Sequence, residues 1–165
     1  MQPTKLIYLE DMHALTGDAH VLEVGEQDGR KYVILDQTLL YAQGGGQPAD
    51  HGAIKSETAE FAVSDVRCKD GFVYHYGEYV SDVLTTGDEV SIVVDAERRQ
   101  LHKGLHSGAN VLDMVVAEMN LPWVPGKGYH FPDGPYVEYT GSLAGLDVEE
   151  LKSRIEQHCN QIIEL

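Results

Sequence analysis

Residues 86–112, TGDEVSIVVDAERRQLHKGLHSGANVL, contain the point at which this chain changes its period. Up to Asp95 the apolar residues alternate, as in a half-buried strand. Beyond it, Leu101, Leu105, Leu112, Val115, Val116 and Met119 recur at helical spacing, and Asp95 is placed to cap the helix that begins there. A domain boundary is therefore expected near residue 95, with β structure before it and mixed structure after it.

Upstream, HVLEVGEQDGRKYVILD and FAVSDVRCKDGFVYHYGEYV each fold two alternating runs around an Asp-Gly pair, Asp28-Gly29 and Asp70-Gly71. Asp-Gly is a strong hairpin signal, because both turn residues must take positive φ. Several short strands with regular turns predict a small β-barrel or sandwich over residues 1–95. Downstream, WVPGKGYHFPDGPYVEYTG reads as loop and strand. A last helix opens at Asp147, with Glu150 three residues on, and carries Leu151, Ile155, Cys159 and Ile162 inward. The expected class is α+β: an N-terminal small β-barrel, then the first part of an α+β domain over residues 96–165, with the sequence breaking off at Leu165 inside the last helix.

The chain has 165 residues and a formal charge of −15. Residues 1–95 hold 6 Lys/Arg against 17 Asp/Glu, and residues 96–165 hold 6 against 10. This balance opposes strong, salt-sensitive binding to a phosphate backbone, but not contact with a single RNA end in a local pocket. No apolar run is long enough to span a membrane, and the N-terminus lacks a signal-peptide pattern, so a cytoplasmic protein is expected. Cys68 and Cys159 have no CxxC spacing, which fits free thiols in a reducing compartment.

Two segments could carry chemistry. In YAQGGGQPADHG, residues 41–52, Gly44, Gly45 and Gly46 lie between Gln43 and Gln47. Such bare backbone serves either a loop that needs positive φ or a ligand that must approach main-chain N–H groups. His102, His106 and Asn110 are spaced i, i+4, i+8 along one helix face. Two imidazoles one turn apart can share a zinc ion or can simply be solvated. Lys103 follows His102, which argues against the HExxH metalloprotease motif. His130, Tyr129 and Lys127 in KGYHF are either packed or within reach of a substrate. Trp123 is expected in the core and His75 inside the barrel, with Asp113 and Glu118 as helix-surface charges.

Taken together, YAQGGGQPADHG, GFVYHYGEYV, TGDEVSIVVDAERR, RRQLHKGLHSGANVLD and KGYHFPDGPYVEYTG resemble, in chain order, blocks of the AlaX proteins and of the alanyl-tRNA synthetase editing domain. The resemblance implies a trans-editing hydrolase that removes serine or glycine from misacylated alanine tRNA by metal-assisted ester hydrolysis. Its partner would be the aminoacyl-tRNA acceptor end. It also implies a pocket lined by the glycine-rich loop, with Gln43, Gln47, Tyr129 and His130 as further substrate contacts. The implied zinc ligands begin at His106, and the second falls on Asn110, a departure from the family's histidine. His102 could substitute only by moving the metal about 6 Å along the helix. The family's later C-x-x-x-H ligand pair has no counterpart, so weak or partial zinc binding is expected. A non-catalytic tRNA- or partner-binding module that keeps the fold is the alternative.

Overall fold

The computed structural model describes residues 2–164. In chain order its elements are β1 (Lys5–Leu6), α1 (Ile7–Glu10), β2 (Thr16–Gln27), β3 (Arg30–Leu35), β4 (Gln37–Thr38), β5 (Gly52–Lys55), β6 (Glu60–Lys69), β7 (Phe72–Tyr79) and β8 (Glu89–Val94). There follow α2 (Ala96–Glu118), β9 (Val124–Tyr129), β10 (Tyr136–Thr140) and α3 (Val148–Ile163). Leu165, where the sequence reading has the last helix break off, lies outside the described residues. Among the described residues no helix is long and apolar enough to cross a membrane.

Six strands close a barrel in the order β2-β3-β7-β6-β5-β8, every neighbouring pair antiparallel. Both predicted Asp-Gly turns form, with φ of 53° and 73° at Asp28 and Gly29 and 52° and 83° at Asp70 and Gly71. Their twist matches that of the strands they join. Inward-facing Val21, Val33, Leu35, Ile54, Phe61, Val66, Val73 and Ile92 are almost wholly buried and fill the barrel.

The chain divides into two compact units, Met1–Gly44 with Pro48–Gln100, and Gly45–Gln47 with Leu101–Leu165. The division thus falls a few residues inside α2, and the tip of the glycine-rich loop belongs to the second unit.

Within the barrel unit, the first turn of α2 is held by a buried ion pair. The Asp95 side chain accepts from the Arg98 amide at 3.0 Å, so the expected N-cap is in place. Arg99, 4% exposed, directs Nε and Nη2 onto Asp50 Oδ2, and donates also from Nη1 to the Met12 carbonyl and from Nη2 to the Leu39 carbonyl. Asp50 is fully buried. The same carboxylate oxygen accepts from the Tyr41 amide at 2.7 Å, and the Asp50 amide donates to the Tyr41 carbonyl at 3.0 Å. The base of the glycine-rich loop and the start of α2 therefore share one carboxylate. Removing the cation would leave that charge buried and alone. Arg99→Ala should lower unfolding stability by about 3–5 kcal/mol, and Arg99→Lys should recover only part of it, because an ammonium cannot reproduce the fork; denaturant unfolding of the three proteins measures both.

His75 lies inside the barrel, as the sequence reading favours, with no exposed surface. The Val33 carbonyl, 2.9 Å from Nδ1, can only accept, so Nδ1 carries the proton. Nε2 then accepts from the Thr38 hydroxyl at 2.8 Å, and that hydroxyl oxygen accepts from the Leu40 amide. Burial lowers the His75 pKa from 6.5 to about 4, opposed by the Val33 bond. A depressed histidine holds its full stabilising effect above pH 6.5 and loses it as pH falls towards 4, because the unfolded chain takes up the proton first. Between pH 7 and pH 5 the wild type should lose about 2 kcal/mol more stability than His75→Gln. Equal losses in the two proteins would contradict a neutral, buried ring.

The second unit has a smaller interior. Among the described residues Val115, Val116 and Leu151 are its buried apolar residues, whereas Leu105, Leu112, Met119, Ile155, Cys159 and Ile162 are only half-buried. Two sequence readings need correction. Leu101 is 51% exposed and His102 is 1% exposed, so the buried face at the start of α2 runs through Arg99 and His102. Polar groups take this face because Arg99 meets its acceptors there, which periodicity alone does not register. Trp123 is half-buried rather than core, with Nε1–H donating to the Ser142 carbonyl at 3.1 Å. At the last helix Asp147 caps as expected, accepting from the amides of Glu149 and Glu150 at 3.0 Å.

Candidate functional site

The tip of the glycine-rich loop, one face of α2 and the β9–β10 hairpin line a single cavity of about 350 Å³ in the second unit. Gly45 and Gly46 come from the loop, and His106, Asn110 and Asp113 from the helix. Lys127, Gly128 and His130 come from β9 and the residue after it, and Val137 from β10. Positions 106, 110 and 113 recur at i, i+4, i+7, which puts them in one row along the helix.

The loop owes its shape to Gly45 and Gly46, at φ of 55° and 78°. At Gly46 a Cβ would collide with the Gly128 carbonyl oxygen and lie 3.0 Å from the His130 ring. The Gly46 carbonyl also accepts from the His130 amide at 3.0 Å. The close approach that the bare backbone permits here is therefore of chain to chain. Gly44 differs: it has no positive φ, and the nearest atom to its Cβ would be the Ala42 carbonyl oxygen at 3.8 Å.

Gln47, 3% exposed, faces His106, with Oε1 2.9 Å from Nδ1. The His106 ring stacks on the His130 ring, centroids 4.7 Å apart and planes 17° from parallel. Burial pushes the His130 pKa below the usual histidine value, His106 pushes it the same way, and Asp113 opposes both. Asp113 is not a simple surface charge, since it accepts a short hydrogen bond from the Tyr139 hydroxyl. Burial and this bond push the Tyr139 pKa up. The position of Asp113, seven residues after His106, was available as a signal in the helical spacing.

Other sequence candidates lie elsewhere. Tyr129 stacks between Phe131 and Tyr136 and donates to Asp133 at 3.0 Å, outside the lining of the cavity. Gln43 and Gly44 belong to the barrel unit, where the Gln43 amide donates to Val66 and the Gly44 carbonyl accepts from the Tyr41 hydroxyl. His102 is buried and does not line the cavity. Glu118 pairs with His158 at 3.1 Å. Cys68 and Cys159 are free thiols.

The donors fit a zinc site poorly. Among the described residues no group of three or more His, Cys, Asp or Glu side chains is placed to hold a metal ion. The His106 and His130 rings lie in near-parallel planes, so their in-plane lone pairs do not share a plane, whereas a zinc ion held by both must lie close to the plane of each. Asn110 adds at most a weak amide oxygen.

Comparison with known proteins adds a family context. The profile of the family described as tRNA synthetases class II (A) matches residues 5–98. The chain is 32% identical to the alanyl-tRNA editing protein AlaX-L of Pyrococcus horikoshii, over 95% of this chain and 38% of that protein. It is 37% identical to an alanine–tRNA ligase of Caldivirga maquilingensis, over 99% of this chain and 18% of the ligase. Identity to the alanyl-tRNA editing protein AlaX-M of Methanosarcina barkeri is 36%, over 68% of this chain and 47% of that protein. The chain spans less than half the length of each of these relatives.

Gly44 and Gly46 should respond differently to substitution. Gly46→Ala should cost about 1–3 kcal/mol, from strained φ and the Gly128 contact. Gly44→Ala should change stability by no more than about 0.5 kcal/mol. Thermal unfolding of the two variants beside the wild type checks the contrast, and equal effects would contradict the packing described.

Proposed function

We propose, from the fact that this chain belongs to the family that joins the class II (A) alanine–tRNA ligases with the AlaX-type editing proteins, that it is a trans-editing hydrolase. Its reaction is hydrolysis of the ester that links a wrong amino acid, serine or glycine, to alanine tRNA. The observation that carries this reading is the meeting of Gly45, Gly46, His106 and His130 around one cavity, since these residues come from three of the separate blocks that resemble the editing proteins. At about 350 Å³ the cavity suits a small ligand such as an aminoacyl group on its ribose. Lys127 is exposed on its lining and suits the neighbouring phosphate. The remaining surface carries too much negative charge to grip a long stretch of RNA, so contact is confined to the acceptor end.

In the reaction, water adds to the ester carbonyl, and the ribose oxygen departs carrying a proton. Backbone N–H groups at the loop tip are suited to meet the oxyanion, because Gly45 has no Cβ to hold the substrate away. Serine can be told from alanine by a group that hydrogen-bonds the serine hydroxyl and is left unpaired when alanine enters. The described donors do not form a zinc site, and these roles rest on hydrogen bonding by the chain's own residues. Asn110, exposed where the family resemblance calls for a histidine, favours the second reading, a module that binds the acceptor end without hydrolysing it.

A deacylation assay separates the two. The chain is expected to release serine or glycine from alanine tRNA at least about tenfold faster than alanine, and His106→Ala should slow release about 100-fold or more. Retained binding of an acceptor-stem RNA with no release of any amino acid would assign the module instead.

A further inference from the structure

On the outside of the barrel a column of aromatic rings runs beside a column of cations. Val66, Val73 and His75 point into the barrel and are fully buried, so their alternate neighbours on β6 and β7 point out. In register across the two strands, Arg67 stands beside Tyr74 and Lys69 beside Phe72, with Asp65 beside Tyr76. Arg67 and Lys69 are exposed, and the three rings are half-buried. Tyr74 and Tyr76 lie 16° from parallel with centroids 6.1 Å apart, and Tyr32 braces both edge-on from β3. Arg30 lies over the Tyr76 ring at 4.0 Å and donates to Asp65 at 2.7 Å. The same carboxylate accepts from Arg67 Nε at 3.0 Å. One anion thus holds two guanidiniums, and neither Nη group of Arg67 has an acceptor among the described residues. Arg30, Arg67 and Lys69 are three of the six Lys/Arg in residues 1–95, so half the cations of an acidic segment stand on this one face.

We infer that this face binds a short unpaired RNA strand, its bases on the aromatic column and its phosphates on Arg67 and Lys69. The free Nη pair of Arg67 is a fork that matches a phosphate, and every base has a π-face that stacks on a ring or on a guanidinium plane. A duplex encloses its bases and leaves the rings unused, and an acidic peptide would use the cations alone. A strand of about two or three nucleotides fills the three-ring column, and contact that short is compatible with a net charge of −15. The inference is independent of the cavity: it concerns the barrel unit and the strand rather than the ester.

The test measures binding of a fluorescently labelled oligoadenylate to the whole chain at low salt. The strand ends in a 3′-phosphate, so it cannot present the sugar end that an aminoacyl group occupies. Tyr74→Leu should weaken binding about tenfold, and Tyr74→Phe, which keeps the ring, should stay within about twofold of wild type. Arg67→Gln should make the slope of log affinity against log salt shallower by about 0.7, the effect of one phosphate contact on a single strand. Lys55→Gln, an equal loss of charge on β5, should leave affinity and slope unchanged. Oligouridylate should bind with similar affinity, and duplex RNA of the same length at least about tenfold more weakly. Absence of binding, unchanged affinity in Tyr74→Leu, or an equal effect of Lys55→Gln and Arg67→Gln overturns the inference. Duplex RNA or an oligoglutamate bound as tightly as the single strand overturns it too, by showing that charge alone is read. None of these results bears on the deacylation assay, which stands or falls with the cavity.

Discussion

One carboxylate oxygen, Asp50 Oδ2, organises the polypeptide on both sides of the glycine-rich loop. It receives the Tyr41 amide from the incoming segment of the loop and two nitrogens of Arg99 from the first turn of α2. Neither charge is exposed, so neither can be kept without the other. The arrangement closes the base of the loop in the barrel unit and fixes the first turn of the helix on it. From these two anchors the chain runs on in both segments into the second unit, where Gln47 and His106 meet.

The second unit uses its polar groups differently. Its apolar interior is small, and the contacts around His106 are hydrogen bonds, a ring stack and a glycine packed against a carbonyl. A site held this way depends on direction more than on buried area. Loss of one amide or one glycine therefore changes which atoms face the cavity before it unfolds the chain. The chemistry such a site offers is that of polar groups at fixed positions, which the proposed function would use to grip a small polar ester.

Much of the fold was legible because it is local. Asp28-Gly29 and Asp70-Gly71 force their turns through φ, Asp95 and Asp147 cap through side chains that reach only two or three residues, and alternation tells a strand which face to bury. Of the residues singled out through resemblance to a family, His106, Gly45, Gly46 and His130 line one cavity. Tyr129 carried the same sequence signal and is instead stacked between two aromatic neighbours, because it ends the strand opposite Tyr136 while His130 follows the strand.

The sequence by itself determined where strands stop and helices begin, since those choices depend on backbone preferences and capping within a few residues. Only the tertiary structure decided that Leu101 faces out while Arg99 and His102 go in, that Gly46 is required by Gly128 some eighty residues away, and that His106 lies against Gln47 and His130. Each of these depends on a partner distant in the chain. A buried cation is tolerable only when its anion has been brought to it, and periodicity carries no information about where that anion comes from.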